Sequence, residues 1–193
     1  MTLSAHKIYG PKGIGALYMR QVGSDKRQDG QKSVSPVAVP LSPVITGGGQ
    51  EWDMRSGTEN VPGIIGFGKA AELAVNMRGR EASRIAGLRE RFLKLIHVRR
   101  PDISLNSSRC TRLPNNVNVY VPGVKAEELV MKLDLRGIAV AAGSACAARA
   151  LRPSHVLRAM GYSDAQARES VRITFGRATT ARDIDILVRE LAG

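Results

Sequence analysis

Three places in this 193-residue chain carry side chains that could do chemistry. The first is Ala141-Ala142-Gly143-Ser144-Ala145-Cys146-Ala147-Ala148-Arg149, a run of small residues around one thiol. Nothing bulky locks this run into a core, and the nearby Arg149, Arg152 and His155 would favour the thiolate, the nucleophilic form of cysteine. A free cysteine also packs as a small, inert hydrophobe, so the segment alone favours the structural reading over the reactive one. The second place is Ser4-Ala5-His6-Lys7, an amine flanked by a hydroxyl and an imidazole, ahead of the turn Gly10-Pro11-Lys12-Gly13. The third is Gly47-Gly48-Gly49 followed by Arg55-Ser56-Gly57-Thr58. Consecutive glycines are costly to order and are kept where the backbone turns sharply or meets a ligand closely. A cation and two hydroxyls just ahead of a helix could cradle an anion. An ordinary loop, with Asn60 capping a helix that has Pro62 in its first turn, accounts for the same residues.

The elements that must position these groups follow from periodicity. Residues 14–19 are apolar almost throughout and read as a strand buried on both faces. Residues 21–46 are polar without periodicity and read as a surface loop. A helix is expected over 61–98 with one break near Gly79. Val117-Asn118-Val119-Tyr120-Val121 and Val171-Arg172-Ile173-Thr174-Phe175 alternate as half-buried strands. Between them lies a helix over 126–136 with Leu129, Val130 and Leu133 on one face. A short buried strand at 137–140 then leads into the cysteine loop. Pro153 fits the first turn of a helix over 154–160 stopped by Gly161, and a further short helix is expected near 164–169. Thr180 with Asp183 gives a capping-box-like start to a last helix that faces Ile184, Leu187, Val188 and Leu191 inward.

With 43% hydrophobic and 24% charged residues the composition is that of a globular rather than a disordered chain. No apolar run approaches the roughly 18 residues that cross a bilayer, and the first residues lack the apolar core of a signal peptide. Two cysteines without a framework pattern fit a reducing cytoplasm, and no metal site is expected. The net charge of +12 suggests nucleic acid, but aromatics at 4% leave few stacking platforms. The densest basic region, 78–100, falls on an amphipathic helix beside Ile85, Leu88, Phe92, Leu95 and Ile96, where a solvated face accounts for the arginines.

Four blocks, in order, resemble the cysteine desulfurases of the class V aminotransferase family, which depend on pyridoxal phosphate. They are Ser4-Ala5-His6-Lys7-Ile8-Tyr9-Gly10-Pro11-Lys12-Gly13-Ile14-Gly15; Gly47-Gly48-Gly49-Gln50-Glu51 with Arg55-Ser56-Gly57-Thr58-Glu59-Asn60-Val61-Pro62-Gly63; Gly143-Ser144-Ala145-Cys146 with Pro153-Ser154-His155-Val156-Leu157; and Val171-Arg172-Ile173-Thr174-Phe175-Gly176-Arg177. The resemblance implies an α/β fold: part of the family's large cofactor-binding domain over 1–104, with a loop insertion at 21–46, then a complete α+β small domain over 105–193. By the same resemblance Lys7 holds pyridoxal phosphate through its amine and moves the substrate α-proton. Ser4 and His6 match phosphate ligands, and Thr58 matches a residue that reaches the neighbouring subunit's phosphate in a homodimer. Arg172 matches the clamp on the carboxylate of L-cysteine, a task suited to a guanidinium. Cys146 matches the nucleophile that takes the sulfur as a persulfide and leaves L-alanine. The Gly-Ser-Ala-Cys form resembles the subgroup serving iron–sulfur cluster assembly and tRNA thiolation, which implies a sulfur-acceptor or scaffold protein as partner; selenocysteine is an alternative substrate. Cys110 has no counterpart and reads as structural.

Family chains are about twice this length, and the matched region begins at the lysine block. The expectation is a truncated chain with little activity alone. A half-enzyme needing a separate N-terminal half, or a non-catalytic basic module, are the alternatives.

Overall fold

The computed structural model describes residues 1–19, 41–107, 112–143 and 153–193. The chain divides into two compact units, Met1–Met77 and Arg78–Gly193. In the first, β1 (Thr2–Ser4) and β2 (Gly15–Leu17) form an antiparallel ribbon with Leu3 opposite Ala16. A short 3-10 helix, Ala5–Ile8, bridges them. The burial expected of 14–19 is not found: Leu17 is 52% exposed. Apolar composition buries a strand only where elements cover both faces, and here β1 is the one strand paired with β2 among the described residues.

Helix α1 (Val61–Arg99) starts where Asn60 accepts from the Gly63 N–H at 3.1 Å, with Pro62 in its first turn, as the sequence indicates. The break expected near Gly79 is absent, and Gly79 is helical. An isolated glycine weakens a helix without ending it.

The second unit is built on a four-stranded antiparallel sheet in the order β3-β4-β6-β5, from β3 (Ser104–Leu105), β4 (Asn116–Tyr120), β5 (Ala141–Ala142) and β6 (Ser170–Thr174). The expected alternation holds: Val117, Val119, Val171 and Ile173 point into the core, while Asn116, Asn118, Arg172 and Thr174 take the other face. The core face packs on residues 85–96 of α1, on α2 (Ala126–Asp134) and on α5 (Ala181–Ala192). Phe92 and Phe175 meet edge to face at 6.2 Å between ring centroids. Helix α5 starts at the expected capping box, Thr180 and Asp183 each accepting from the other's backbone N–H, and buries Ile184, Leu187, Val188 and Leu191.

Two local expectations shift. The strand read at 137–140 forms at Ala141–Ala142 and is half-buried, because α2 ends at Asp134 and Leu135–Gly137 turn the chain. Pro153 lies outside α3 (His155–Ala159), whose N-cap is Ser154, its hydroxyl accepting from Leu157 N–H at 3.4 Å. Helix α4 (Asp164–Arg168) is closed by a capping box at Ser163 and Gln166.

The arginines of 78–100 are more than a solvated face. Arg84 donates to the carbonyls of Gly176, Arg177 and Thr179 at 3.2, 3.0 and 2.8 Å while holding Glu81. Arg91 grips Asp185 through two bonds of 2.9 Å. Arg100 holds Asp102 and donates to the Leu191 carbonyl at 3.0 Å. They fasten α1 to the end of β6 and to α5.

Candidate functional site

The sequence-selected residues fall in both units, and each group is built locally. In the first unit the 3-10 helix is anchored by Ala5, which is fully buried, donates to the Ile14 carbonyl at 3.1 Å and accepts from Gly10 N–H at 2.9 Å. Tyr9 ends it in the left-handed region at φ 65°. Gly10 is closely packed here: a Cβ on it would stand 3.0 Å from the Cβ atoms of both Ala5 and Ala70. Pro11 sits over Gly66 of α1, where a Cβ would lie 2.6 Å from the proline Cγ. These contacts set the turn on the first part of α1. Lys7 and His6 project from it into solvent, and Ser4, half-buried, stands at its N-cap without using its hydroxyl as a cap. Amine, imidazole and hydroxyl thus share one short turn and are open to a ligand.

The glycine-rich segment is an elaborate turn. Gly47 and Gly49 have φ of 152° and 80°, and three successive non-glycine residues, Glu51, Trp52 and Asp53, also lie in the left-handed region. Asp53 N–H donates to the Gly49 carbonyl at 3.2 Å and Gly57 N–H to Gln50 Oε1 at 2.9 Å. The expected anion cradle of Arg55, Ser56 and Thr58 does not form in this structure. Ser56 is buried with its N–H on the Ile45 carbonyl, and Arg55 donates to the Ser56 carbonyl. Thr58 is exposed just ahead of α1.

In the second unit Arg172 stands on the polar face of β6, directly opposite Asn118 of β4 on one side and Ala141 of β5 on the other. It is half-buried, and its guanidinium has no hydrogen bond or ion pair among the described residues. A partly desolvated guanidinium without a partner favours an anion. The strand beside it, β5, runs into the cysteine loop, and α3 takes up the chain on the far side at Ser154. Cys146 and Cys110 lie outside the described residues. The structure therefore sets Arg172 against the entry to the cysteine loop.

Sequence reasoning missed what stands behind Arg172. Asn106, 2% exposed, donates from Nδ2 to Asn118 Oδ1 at 2.7 Å and to Ser170 Oγ at 2.8 Å. Ser170, equally buried, donates in turn to the Gln166 carbonyl at 2.6 Å. Ser107, held at φ 101°, donates its N–H to Tyr162 Oη at 3.0 Å. The only signal in the sequence is the polar phase of β4, which marks Asn118 as outward-facing and no more.

The residues present fit pyridoxal phosphate in the chemistry of their donors: an open amine, an unused hydroxyl and an exposed imidazole on one turn. Among the described residues no cluster of metal-ligand side chains occurs, and no helix is long and apolar enough to cross a membrane.

Over residues 1–187 the sequence matches the family described as aminotransferase class-V. It is 42% identical over 193 residues to cysteine desulfurase IscS 1 of Archaeoglobus fulgidus, covering 100% of this chain and 46% of that protein. It is 43% identical over 185 residues to cysteine desulfurase IscS of Dictyoglomus turgidum, covering 96% and 43%. A solved NifS-like protein superposes with a TM-score of 0.79 at 30% identity, covering 99% of this chain and 44% of the other. The NifS-like protein from Rickettsia africae gives 0.69 at 34% identity, covering 79% and 39%. The chain spans less than half the length of these relatives.

Proposed function

The chain belongs to the class-V aminotransferase family, and on that premise we propose that it takes part in pyridoxal-phosphate-dependent removal of sulfur from L-cysteine, giving L-alanine and a persulfide on Cys146. The observation that supports this most directly is the exposed Lys7 amine on a turn seated by Gly10 and Gly66 against α1. Pyridoxal phosphate, when bound, supplies the electron sink for an amino-acid substrate.

The chain's own residues divide the remaining work. Lys7 Nζ would hold the cofactor and move the proton at the substrate α-carbon, while Ser4 Oγ and His6 would bind phosphate. Thr58 would serve the phosphate of a second copy, the assembly being a homodimer. Arg172 would take the substrate carboxylate through paired N–H donors. The Cys146 thiolate then attacks the substrate sulfur. The sulfur's bond to carbon breaks, a sulfur–sulfur bond forms, and the carbon takes up a proton to become alanine. A sulfur-accepting protein of iron–sulfur cluster assembly or tRNA thiolation would receive the persulfide, in the cytoplasm.

Arg84, Arg91 and Arg100 are engaged within the second unit, so these three arginines do not support the basic-module alternative. The experiment is to incubate the chain with pyridoxal phosphate and L-cysteine, alkylate it, and weigh the peptide carrying Cys146. The reading predicts that a small fraction of this peptide becomes heavier by one sulfur atom, with alanine in the same amount, and that neither product forms in Cys146→Ser. Alanine without sulfur on Cys146 would contradict the assigned nucleophile.

A further inference from the structure

Resting on the reading of Arg172 as the receptor for a substrate carboxylate, we infer that the neutrality of Asn118 keeps the guanidinium of Arg172 open. The two residues are register partners on antiparallel strands, so their side chains rise from the same face with Cβ atoms about 4.5–5.5 Å apart. The partner on the other flank is Ala141, which offers no group to pair with or brace a guanidinium. Among the described residues Asn118 is therefore the polar side chain directly opposite Arg172 across the ladder.

Its carboxamide is held. Asn106 gives one amide N–H to Asn118 Oδ1 at 2.7 Å and the other to Ser170 Oγ at 2.8 Å. The Ser170 hydroxyl is turned onto the Gln166 carbonyl at 2.6 Å, and the Asn106 backbone N–H binds the Asn118 carbonyl at 2.9 Å. Asn106 and Ser170 are both buried, so the chain of bonds has no slack toward solvent. Asn118 Oδ1 is thus fixed toward Asn106, and the residue opposite Arg172 carries no charge.

The donor from Asn106 would be accepted equally well by a carboxylate. Nothing in the network demands an amide at position 118, so the network alone does not account for this residue. Arg172 does. An aspartate there would satisfy Asn106 and also pair with the guanidinium from across the ladder, filling the receptor before any substrate arrives. An uncharged acceptor supports the network and leaves the charge of Arg172 unmatched.

The test uses the whole chain and the side-chain Nε–H resonance of Arg172 during titration with L-2-aminobutyrate, an unreactive amino acid with the same carboxylate. Asn118→Asp keeps an acceptor for Asn106 at the same reach, Asn118→Ser keeps a neutral polar residue there, and Arg172→Ala is the reference. The inference predicts that Asn118→Asp keeps the native amide spectrum yet needs roughly tenfold more ligand, whereas Asn118→Ser stays within about twofold of the native chain. In Asn118→Asp the Arg172 Nε–H would also exchange more slowly before ligand is added. If Asn118→Asp responds as the native chain does while Arg172→Ala loses the response of neighbouring amides, the inference fails and the reading of Arg172 stands. If Arg172→Ala leaves those neighbours responding unchanged, the reading of Arg172 fails and the inference with it.

Discussion

Gly66 of α1 lies directly against Pro11, so close that a Cβ on the glycine would stand 2.6 Å from the proline Cγ. This contact ties the lysine turn to a helix, and it reverses the usual effect of adding a methyl group. In an open helix position Gly→Ala stabilises by about 0.5–1 kcal/mol through backbone entropy and propensity. Gly87, with nothing within 4 Å of a built Cβ, is such a position. Thermal melts are expected to show Gly87→Ala more stable than the native chain. In Gly66→Ala, proteolysis at the Lys7 turn should quicken while the helical circular dichroism persists. Unchanged cleavage in Gly66→Ala would mean that the turn does not depend on this contact.

Arg84 supports the turn after β6 through three carbonyl acceptors, Gly176, Arg177 and Thr179. Removing the guanidinium leaves these acceptors without their charged donor, at about 2 kcal/mol, since hydrogen bonds to charged groups contribute about 1.5–3 kcal/mol. Arg84→Ala should lower the unfolding free energy measured in urea by that margin and speed hydrogen exchange at Thr179 and Gly176. Arg84→Lys, without the fork, should recover only part of the loss.

Acid should loosen the attachment of α1 to α5. The bonds from Arg91 hold the Asp185 carboxyl below the usual carboxylate range, and Arg100 does the same for Asp102. A carboxyl depressed in the folded chain contributes stability above its unfolded pKa, about 3.9, and loses it as pH falls through the folded value. Urea midpoints should therefore drop as pH falls below about 4, and the drop should shrink in Arg91→Gln. Equal acid slopes in the two chains would show the pair to be energetically silent.

Thr180→Ala removes the capping oxygen that accepts from Asp183 N–H at 3.3 Å and should cost about 1 kcal/mol. Calorimetry of the variant checks this, and Thr180→Ser should restore the native value.

What was legible in the sequence was local. The Thr180–Asp183 box, the Asn60 cap, the inward stripe of α5 and the alternation of Val117 and Val119 each need only neighbours a few residues away. The block order around Lys7 and Arg172 was legible for the same reason. The burial expected at 14–19 was not realised, because hydrophobic composition cannot say which faces other elements cover. The anion cradle at Arg55, Ser56 and Thr58 was not realised either, because the left-handed run Glu51–Trp52–Asp53 turns Ser56 inward, and that run occurs at residues with no glycine to announce it. Arg84 and Asn106 were illegible as supports because the partners of Arg84 lie 92 to 95 residues away along the chain and those of Asn106 lie 12 and 64 away, on two other strands.

The central claim is that Lys7 is the residue that holds pyridoxal phosphate. The measurement that tests it is the visible absorption spectrum of the native chain and of Lys7→Ala after incubation with the cofactor, followed by borohydride reduction and peptide mapping. The account predicts a visible band in the native chain, its loss in Lys7→Ala, and the reduced pyridoxyl group on the peptide containing Lys7. A folded native chain without the band, or a label on another lysine, would contradict it.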